Sequence, residues 1–461
     1  GPTNKSDPQY LVDSPTLLAW ARGPGGYPHG HFPTLRLLRA ATARGKCQVL
    51  EILFRLAVLA HDHANAWELC EIAARHGQLE TLQWLRTLKN PRVPWSCNTC
   101  DAAAEGGHLR VLHWAYENDC PFSSKAVVHA AANGHVWILA WLIDRGAAFC
   151  YDAVTVAARN GQLEVLKMVR ALHGSAYADA GGGACSAAAA GGHLACLTFL
   201  VEDLEDGLSY HECMENAVVC PLGRPDGPHM EVVRWLLEYH RTEEEFAFSG
   251  DVLQVAASRD YREVLVLAKA HGCFGHDHLT DGLCEMAASG GHLALLEWLC
   301  APEQGLVPDH RACSAAAGCG ALDVLQWAHA RGCALSTQAV YNAVCAGHVE
   351  VVAWLVAYWP GAVSFRDGVA STPDFDGLRP FGAALPAMAA ENGQAGMLRW
   401  LLAQGCSYHM GSLELALDRL RHASRRGVGQ ASERDEEAVC ELVARIGALR
   451  ADGAVGFEKL L

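Results

Sequence analysis

Long apolar runs and an excess of positive charge are both missing from this sequence. The most apolar stretch, 49–60, is interrupted by Glu51 and Arg55, so no run reaches the length of about 18 residues that a membrane-spanning helix requires. Acidic residues outnumber basic ones by 51 to 36, which gives a formal net charge of −15. Because binding to nucleic acids and to anionic membranes requires a basic face, we expect no nucleic-acid partner and no membrane insertion.

The sequence motifs of common enzyme classes are missing as well. There is no P-loop, dinucleotide fingerprint, G-x-S-x-G elbow or H-E-x-x-H motif, and Gly181–Gly183 lacks the lysine of a phosphate loop. We therefore expect no catalytic residues, no cofactor and no small-molecule substrate, and we interpret Gly181–Gly183 as a flexible insertion. A zinc enzyme remains an alternative that stoichiometric zinc in the purified protein would support.

No signal peptide precedes the 19 cysteines, which favours a reducing compartment over a disulfide scaffold. The expected localisation is cytoplasmic, or the host cytoplasm if the protein is viral. The chain opens with Gly1-Pro2, which is typical of a cleaved purification tag. A removed targeting peptide would also leave a start without methionine, so this alternative stays open.

A short pattern built on a glycine, often followed by His and Leu, returns along the whole chain. Residues 103–109 recur as 130–136, and similar stretches surround Gly192, Gly291 and Gly347. With this glycine as position zero, there are twelve anchors, numbered here as repeats 1 to 12: Gly45, Gly77, Gly107, Gly134, Gly161, Gly192, Pro228, Asp260, Gly291, Gly320, Gly347 and Gly393. The steps between them are 27 to 36 residues, with one last step of 46. Length therefore measures the number of repeats and not the number of domains.

Each repeat predicts two helices joined by a tight turn. Position +5 is Leu or Val in all twelve repeats and +8 is Leu, Val or Ala, which is the apolar stripe of a buried second helix. Positions −4 and −3 are Ala-Ala in nine repeats, so that a first helix can approach its neighbours closely. The anchor glycine suits a helix end with positive φ, and a second glycine at +12, as in Gly146, ends the second helix in the same way.

The combined pattern A-A-x-x-G-H-L-x-V-L-x-W-L-x-x-x-G-C resembles the helical part of the ankyrin repeat and covers 34–409. The usual T-P-L-H opening is missing and most units are shorter than about 33 residues, as in the short-finger forms of protists and giant viruses of amoebae. The resemblance implies an all-α, ankyrin-type helix-turn-helix solenoid of about twelve repeats, with short or absent β-hairpin fingers. It also implies that the concave first-helix face binds partner proteins.

Three regions are expected along the chain. Residues 1–33 hold the tag scar and a half-repeat cap, 34–409 form the solenoid with insertions near 202–228 and 361–379, and 410–461 form C-terminal capping helices. The motif is weakest around Pro228 and Asp260, where a bend or break of the solenoid is expected.

Recurring cysteines and tryptophans are interpreted as core residues and not as ligands. Eight tryptophans occupy +7, and nine cysteines occupy −7 or +13. Zinc at Cys97 and Cys100, or at the His-Asp-His runs 61–63 and 276–278, is the less favoured alternative. Ser or Thr at −11 predicts N-caps at Ser96, Ser123, Ser249, Thr280 and Ser336, with aromatic residues at −12 completing hydrophobic staples. The histidine at +1 predicts hydrogen bonds to the backbone between repeats.

Positions −9, −6 and −2 point away from the buried face of the first helix, and their residue types vary between repeats. We expect this face to bind a partner, together with two aromatic residues of the 361–379 insertion. The candidate binding residues are Glu71, Asn98, Asp101, Glu105, Lys125, Asp152, Arg159, Glu285, Arg311, Gln338, Tyr341, Glu391, Phe365 and Phe375. The alternative for most of them is an ordinary solvated surface.

The sequence thus predicts a non-enzymatic scaffold that binds another protein, and the net negative charge favours a partner with a basic surface. Two narrower functions stay open. A substrate adaptor of a ubiquitin ligase would need an F-box-like or SOCS-like module, and neither terminus shows one. A structural subunit of a large assembly would use the insertions to hold its neighbours.

Overall fold

The computed structural model describes residues 34–60, 68–88, 94–172, 181–202, 208–219, 228–239, 248–275, 280, 282–359, 385–406, 410–426 and 438–446. Within these ranges the backbone forms helices and turns and no β-strand. The chain divides into two compact parts, Gly1–Glu243 and Glu244–Leu461, and the division falls between repeats 7 and 8.

The described helices of the N-terminal part are α1 (Thr34–Ala43), α2 (Cys47–Ala60), α3 (Glu68–Arg75), α4 (Leu79–Thr87), α5 (Cys97–Glu105), α6 (Leu109–Glu117), α7 (Ser124–Ala132), α8 (Val136–Asp144), α9 (Tyr151–Arg159), α10 (Leu163–Leu172), α11 (Gly181–Gly191), α12 (Leu194–Val201), α13 (Tyr210–Val219) and α14 (Met230–Tyr239). Each odd-numbered helix is the first helix of a repeat, and the even-numbered helix that follows is its second.

The same alternation continues in the C-terminal part. Its described helices are α15 (Gly250–Ser258), α16 (Arg262–Ala270), α17 (Leu283–Ser289), α18 (Leu293–Leu299), α19 (His310–Cys319), α20 (Leu322–Ala330), α21 (Thr337–Ala346), α22 (Val349–Tyr358), α23 (Leu385–Glu391), α24 (Ala395–Ala403) and α25 (Met410–Arg426). A short 3-10 helix spans Cys273–Gly275, and a further helix spans 438–446.

Stacked helix pairs form the core of each part. Every side chain at +5 and +8 is at most 2% exposed in all twelve repeats, as the sequence predicts. The alanines at −4 and −3 are also buried, and neighbouring first helices pack side by side. Burial of a full leucine side chain contributes about 1.5–3 kcal/mol, and one helix pair buries too few of them to be stable alone. The chain is therefore an all-α helical-repeat protein of the solenoid type.

The turn between the two helices has the same geometry throughout the described repeats. All ten anchor glycines have positive φ, and Asp260, which replaces glycine in repeat 8, also has a positive φ of 57°. In repeat 3 the backbone N–H of His108 donates to the carbonyl oxygen of Ala103 at 2.9 Å. In repeat 7 the backbone N–H of His229 donates to the carbonyl oxygen of Ala217 at 2.9 Å. The donor and acceptor of this bond are seven residues further apart in sequence than those in repeat 3.

Three predictions of local structure are wrong or need refinement. Gly181–Gly183 are not a flexible insertion, because they form the first turn of α11. Thr280 is not an N-cap, since α17 begins only after Gly282, which has a left-handed φ of 78°. The eight tryptophans at +7 are half-buried and not fully buried.

Contacts with the preceding repeat explain the intermediate burial of these tryptophans. The ring of Trp141 lies 5.4 Å from that of Tyr116, and the ring of Trp354 lies 5.6 Å from that of His329. The Arg145 guanidinium covers another face of Trp141 at 4.0 Å from the ring centroid. Each such tryptophan thus joins two second helices while one edge remains in solvent.

The predicted burial of the recurring cysteines and three of the predicted serine N-caps are confirmed. All nine cysteines at −7 and +13 are buried. The hydroxyl oxygens of Ser96, Ser123 and Ser249 accept backbone N–H bonds at the N-termini of α5, α7 and α15. Ser336 also occupies an N-cap position, but its hydroxyl bonds to that of Ser314 instead, at 2.8 Å.

Candidate functional site

Charged residues on the first helices of repeats 1 to 3 pair with each other. Arg39 contacts Glu68 at 2.5 Å, and Arg75 contacts the predicted binding residue Glu105 at 3.0 Å. Both pairs join neighbouring repeats and are partly exposed, so each is worth little, about 0–1 kcal/mol. The carboxylate of Glu105 is thus engaged with Arg75 of the preceding repeat. Glu71 is half-buried beside them and Asn98 is exposed.

Position −6 differs most from the prediction that it lies on the solvent face. Asp101 at this position is 3% exposed and accepts bonds from the Ser123 backbone N–H at 2.9 Å and from the Ser123 hydroxyl at 2.5 Å. Ser314 at the same position of repeat 10 meets Ser336. In these two repeats the next first helix stacks beside the −6 side chain, which therefore contacts the N-cap of the following repeat. Asp101 therefore connects two repeats and is not part of a binding face.

In the C-terminal part, Glu285 and Arg311 are also paired. Arg311 lies 3.7 Å from Glu285 and 2.8 Å from Asp309, at one side of a cavity of about 280 Å³. Burial raises the pKa of the Asp309 carboxyl, but the hydrogen bonds from Arg311 lower it more, so the net pKa is below its usual range. Val307, which is 83% exposed, lines the same cavity. The lining holds the two carboxylates of Glu285 and Asp309 against the single guanidinium of Arg311, so an acidic excess of one remains.

The remaining predicted residues of the C-terminal part are distributed along two repeats. Gln338 is exposed and donates to the side-chain oxygen of Asn342 at 2.8 Å, and Tyr341 is exposed beside Cys345. Glu391 pairs with Arg419 of α25 at 3.3 Å. Phe365 and Phe375 lie outside the described residues, as do Phe381 and both His-Asp-His runs.

Repeats 4 and 5 differ from repeats 1 to 3 in the charged side chains of their first helices. Lys125, Asp152 and Arg159 are exposed and form no ion pair with the described residues. Arg159 has no ion-pair partner among the described residues, because the same position in both neighbouring repeats is alanine, at Ala132 and Ala190. We call five of the exposed residues of α7, α9 and α11, namely Lys125, Tyr151, Asp152, Arg159 and Gly182, the open first-helix surface.

An exposed aromatic ring completes the open first-helix surface. Tyr151 is 46% exposed at the start of α9, and its hydroxyl lies where a side chain at Gly183 would begin. The first turn of α11 carries glycines, and nothing lies within 4 Å of a Cβ built on Gly182. The result is an accessible area that carries two cations, one anion and one tyrosine. Sequence reasoning missed Tyr151, because it stands at −10, next to the positions that were assigned to the face.

Among the described second helices, Trp137 is the most exposed large apolar residue, and sequence reasoning missed it. Trp137 on α8 is 81% exposed, whereas the same position is Arg110 in repeat 3 and Glu164 in repeat 5. A tryptophan where the neighbours are charged was the available sequence signal. It provides a contrast for experiments on the first-helix side.

The residue at +1 links successive repeats within each part, as the sequence predicts for histidine. The Nε2–H of His135 donates to the Glu105 carbonyl at 3.1 Å, and that of His348 donates to the Gly318 carbonyl at 3.1 Å. Gln78 and Gln162 donate their side-chain amides to the equivalent carbonyls. Each bond satisfies a carbonyl oxygen in the last turn of a first helix, which has no partner inside that helix.

His108 is expected to make stability depend on pH. Partial burial disfavours the protonated ring and lowers the pKa of His108 below the usual value of about 6.5. The hydrogen bond to the Arg75 carbonyl offsets part of this lowering. The unfolded chain thus binds the proton more readily than the folded one, so the contribution of His108 is present above about pH 6.5 and is lost as pH falls.

We expect His108→Gln to unfold at the same urea concentration as the parent at pH 7.5 and at a higher one near pH 5. Glutamine keeps the N–H donor, as Gln78 does, but takes up no proton. Urea unfolding of the full chain at both pH values measures the difference, and the exposed His310→Gln serves as control. An equal pH dependence in His108→Gln and the parent would contradict the expectation.

Metal-binding and membrane-spanning features are absent from the part of the chain that the structure describes. No group of three or more His, Cys, Asp or Glu side chains there is arranged to hold a metal ion. No helix in the same ranges combines the length and apolar character that crossing a bilayer requires.

Comparison with known proteins shows no family for this chain. No family model and no curated protein matches the chain. Similar solved structures include the pentatricopeptide repeat protein PPR10 in complex with an 18-nt psaJ RNA element, and a cysteine-substituted form of it with the same RNA. Both are 13% identical, cover 96% of this chain and 73% of that chain, and have a TM-score of 0.37. PPR10 from maize is 12% identical, the match covers 93% of this chain and 79% of that chain, and the TM-score is 0.32.

One prediction is corrected by this comparison. The expectation that the partner is no nucleic acid is contradicted, because two of these similar chains are RNA complexes. TM-scores below 0.5 carry no further argument about the ligand of this chain.

Proposed function

We propose that the chain is a non-enzymatic scaffold with ankyrin-like repeats that binds a partner protein through the open first-helix surface. The observation that carries this proposal is the contrast between repeats 1 to 3, whose charged first-helix residues are paired, and repeats 4 and 5, where Lys125, Asp152 and Arg159 are exposed without ion pairs among the described residues.

The chemistry of the surface supports a protein ligand. Tryptophan, tyrosine and arginine are enriched among the residues that dominate interface energetics, and the open first-helix surface carries two of these types, Tyr151 and Arg159. Tyr151 and Arg159 lie at the two ends of α9, about 12 Å apart along the axis at 1.5 Å per residue. On α11, Gly182 is exposed and nothing lies within 4 Å of a Cβ built on it, so a partner can approach the helix backbone there.

Lysines provide a built-in crosslinking experiment. Only seven of the 36 basic residues are lysines. One of them lies on the first helix of repeat 4 and another on the second helix of repeat 5. Lys125 belongs to the open first-helix surface, whereas Lys167 lies on second helix α10, where it pairs with Glu164 at 2.7 Å. With full-length chain in an extract of its source and a lysine-reactive crosslinker, we expect partner peptides at Lys125 and not at Lys167.

Variants separate the two faces and the two ligand classes. Tyr151→Ala combined with Arg159→Glu is expected to weaken partner binding at least tenfold, which corresponds to about 1.4 kcal/mol, while Trp137→Ala leaves binding unchanged. Loss of binding in Trp137→Ala alone would place the interface on the second helices.

A labelled single-stranded RNA pool is titrated in parallel, and tight, salt-dependent binding that Arg159→Glu removes would identify an RNA-binding scaffold instead.

A further inference from the structure

Three repeats place two thiols of the same repeat next to each other. In repeat 10 the Sγ atoms of Cys313 and Cys333 are 2.7 Å apart, and in repeat 9 those of Cys284 and Cys300 are 3.9 Å apart. In repeat 3 the Cys100 thiol reaches the Cys120 carbonyl oxygen at 3.5 Å. The sulfur–sulfur approach is thus shortest in repeat 10.

The repeat geometry brings the two sulfurs of repeat 10 together. Cys313 at −7 lies on the buried face of α19 and is 0% exposed. The chain reverses at Gly332, with φ 86°, directly after α20, and the Cys333 N–H then donates to the Ala328 carbonyl at 3.1 Å. The Cys333 sulfur lies 2.8 Å from the Asp309 carbonyl at the start of α19. Both cysteines are therefore held by backbone contacts of one repeat.

A disulfide fits between two sulfurs held in this way. The covalent S–S bond measures about 2.05 Å, so the two atoms have to approach by well under 1 Å. Both side chains lie within a single repeat and are separated by 20 positions in sequence. Closing the bond requires no movement of one repeat against another.

We propose that Cys313 and Cys333 form a dithiol site that a small hydroperoxide oxidises to an intra-repeat disulfide. The Cys333 thiolate attacks one peroxide oxygen, which gives a Cys333 sulfenic acid and releases water after protonation. The Cys313 sulfur then attacks the sulfenic sulfur and forms the S–S bond, releasing a second water. Two thiols and one hydrogen peroxide thus yield one disulfide and two waters, and the two sulfurs lose the two electrons that the peroxide gains.

The surroundings indicate which cysteine reacts first. Cys333 is 6% exposed and Cys313 is fully buried, so a molecule as small as hydrogen peroxide meets Cys333 first. The hydrogen bond donated by the Cys313 thiol lowers the pKa of Cys333, and the same contact raises the pKa of Cys313. The thiolate is the reactive form, which supports Cys333 as the first nucleophile and Cys313 as the resolving thiol.

The test uses the reduced full-length chain and hydrogen peroxide, followed by blocking of free thiols and tryptic mass spectrometry. Cleavage after Arg311 and Arg331 separates the two cysteines, so the expected disulfide links two peptides that reductant releases. Cys319→Ser and Cys345→Ser are introduced beforehand, because the same two peptides contain these cysteines and Cys319 is exposed. Far-UV circular dichroism confirms that the variant is folded.

Two further variants sharpen the result. Cys313→Ser is expected to remove the link and to leave a Cys333 sulfenic acid that a dimedone probe traps. Cys284→Ser, in the neighbouring repeat, is expected to leave the link unchanged. The proposal is overturned if Cys333 stays reduced at a peroxide dose that oxidises Cys300, or if it becomes a sulfinic acid in the parent without passing through the link.

Discussion

Gly107→Ala is expected to lower the free energy of unfolding of the N-terminal part by roughly 2–4 kcal/mol. Gly107 has a φ of 79°, and an alanine in this region costs about 1–2 kcal/mol. A Cβ there would also lie 2.6 Å from Cε1 of His135, so the ring has to move away and the hydrogen bond from Nε2 to the Glu105 carbonyl is lost. The link between repeats 3 and 4 is therefore weakened together with the turn.

Gly146→Ala is the matched control for this experiment. Gly146 also has a φ of 79°, but nothing lies within 4 Å of a Cβ built on it. We expect only the backbone cost of about 1–2 kcal/mol. Urea unfolding of the full chain measures both losses, and amide hydrogen exchange localises the effect of Gly107→Ala to α5–α8. Equal losses in the two variants would show that the histidine contact contributes nothing.

Asp101→Ala is expected to cost about 2–3 kcal/mol, because it removes two charge-assisted hydrogen bonds and leaves the Ser123 N–H without its acceptor. The Ser123 hydroxyl also accepts the Lys125 N–H at 3.1 Å, so the N-terminus of α7 loses the group that orients its cap. Asp101→Asn keeps one acceptor oxygen and is expected to lose less.

The control for Asp101 is the exposed carboxylate of Asp152, two repeats further along the chain. Asp152→Ala is expected to change the free energy of unfolding by less than about 0.5 kcal/mol. Both variants are compared with the parent by urea unfolding at pH 7.5. A loss of under about 0.5 kcal/mol in Asp101→Ala would mean that water replaces the carboxylate at the Ser123 cap.

The helical register could be predicted from the sequence because the same constraint is repeated twelve times. A position such as +5 admits only Leu or Val in every copy, and one irregular copy does not obscure the pattern. Even Asp260 was placed correctly by spacing alone, although it lacks the glycine, and its positive φ confirms that placement.

The binding face was predicted less well, because a helical pattern describes one helix and not its neighbours. Asp101 points away from the buried stripe of α5, yet the N-terminus of α7 covers it. Glu105 and Glu285 likewise meet arginines of an adjacent repeat, which spacing within one helix does not indicate. Tyr151 was overlooked because its exposure depends on the neighbouring repeat. It lies in the first turn of α9 and remains exposed beside the glycines that begin α11.

Repeat 7 shows how an array of this kind changes its length. The N–H of His229 finds the carbonyl of Ala217 twelve positions back, where repeat 3 spans five positions from His108 to Ala103. The His229 ring still donates to the Ala190 carbonyl of repeat 6 at 3.1 Å. Extra residues at this turn are thus compatible with both bonds. The turn between paired helices is therefore a place where gene-level insertions can accumulate without a change of register, and where an epitope or reporter can be introduced by design.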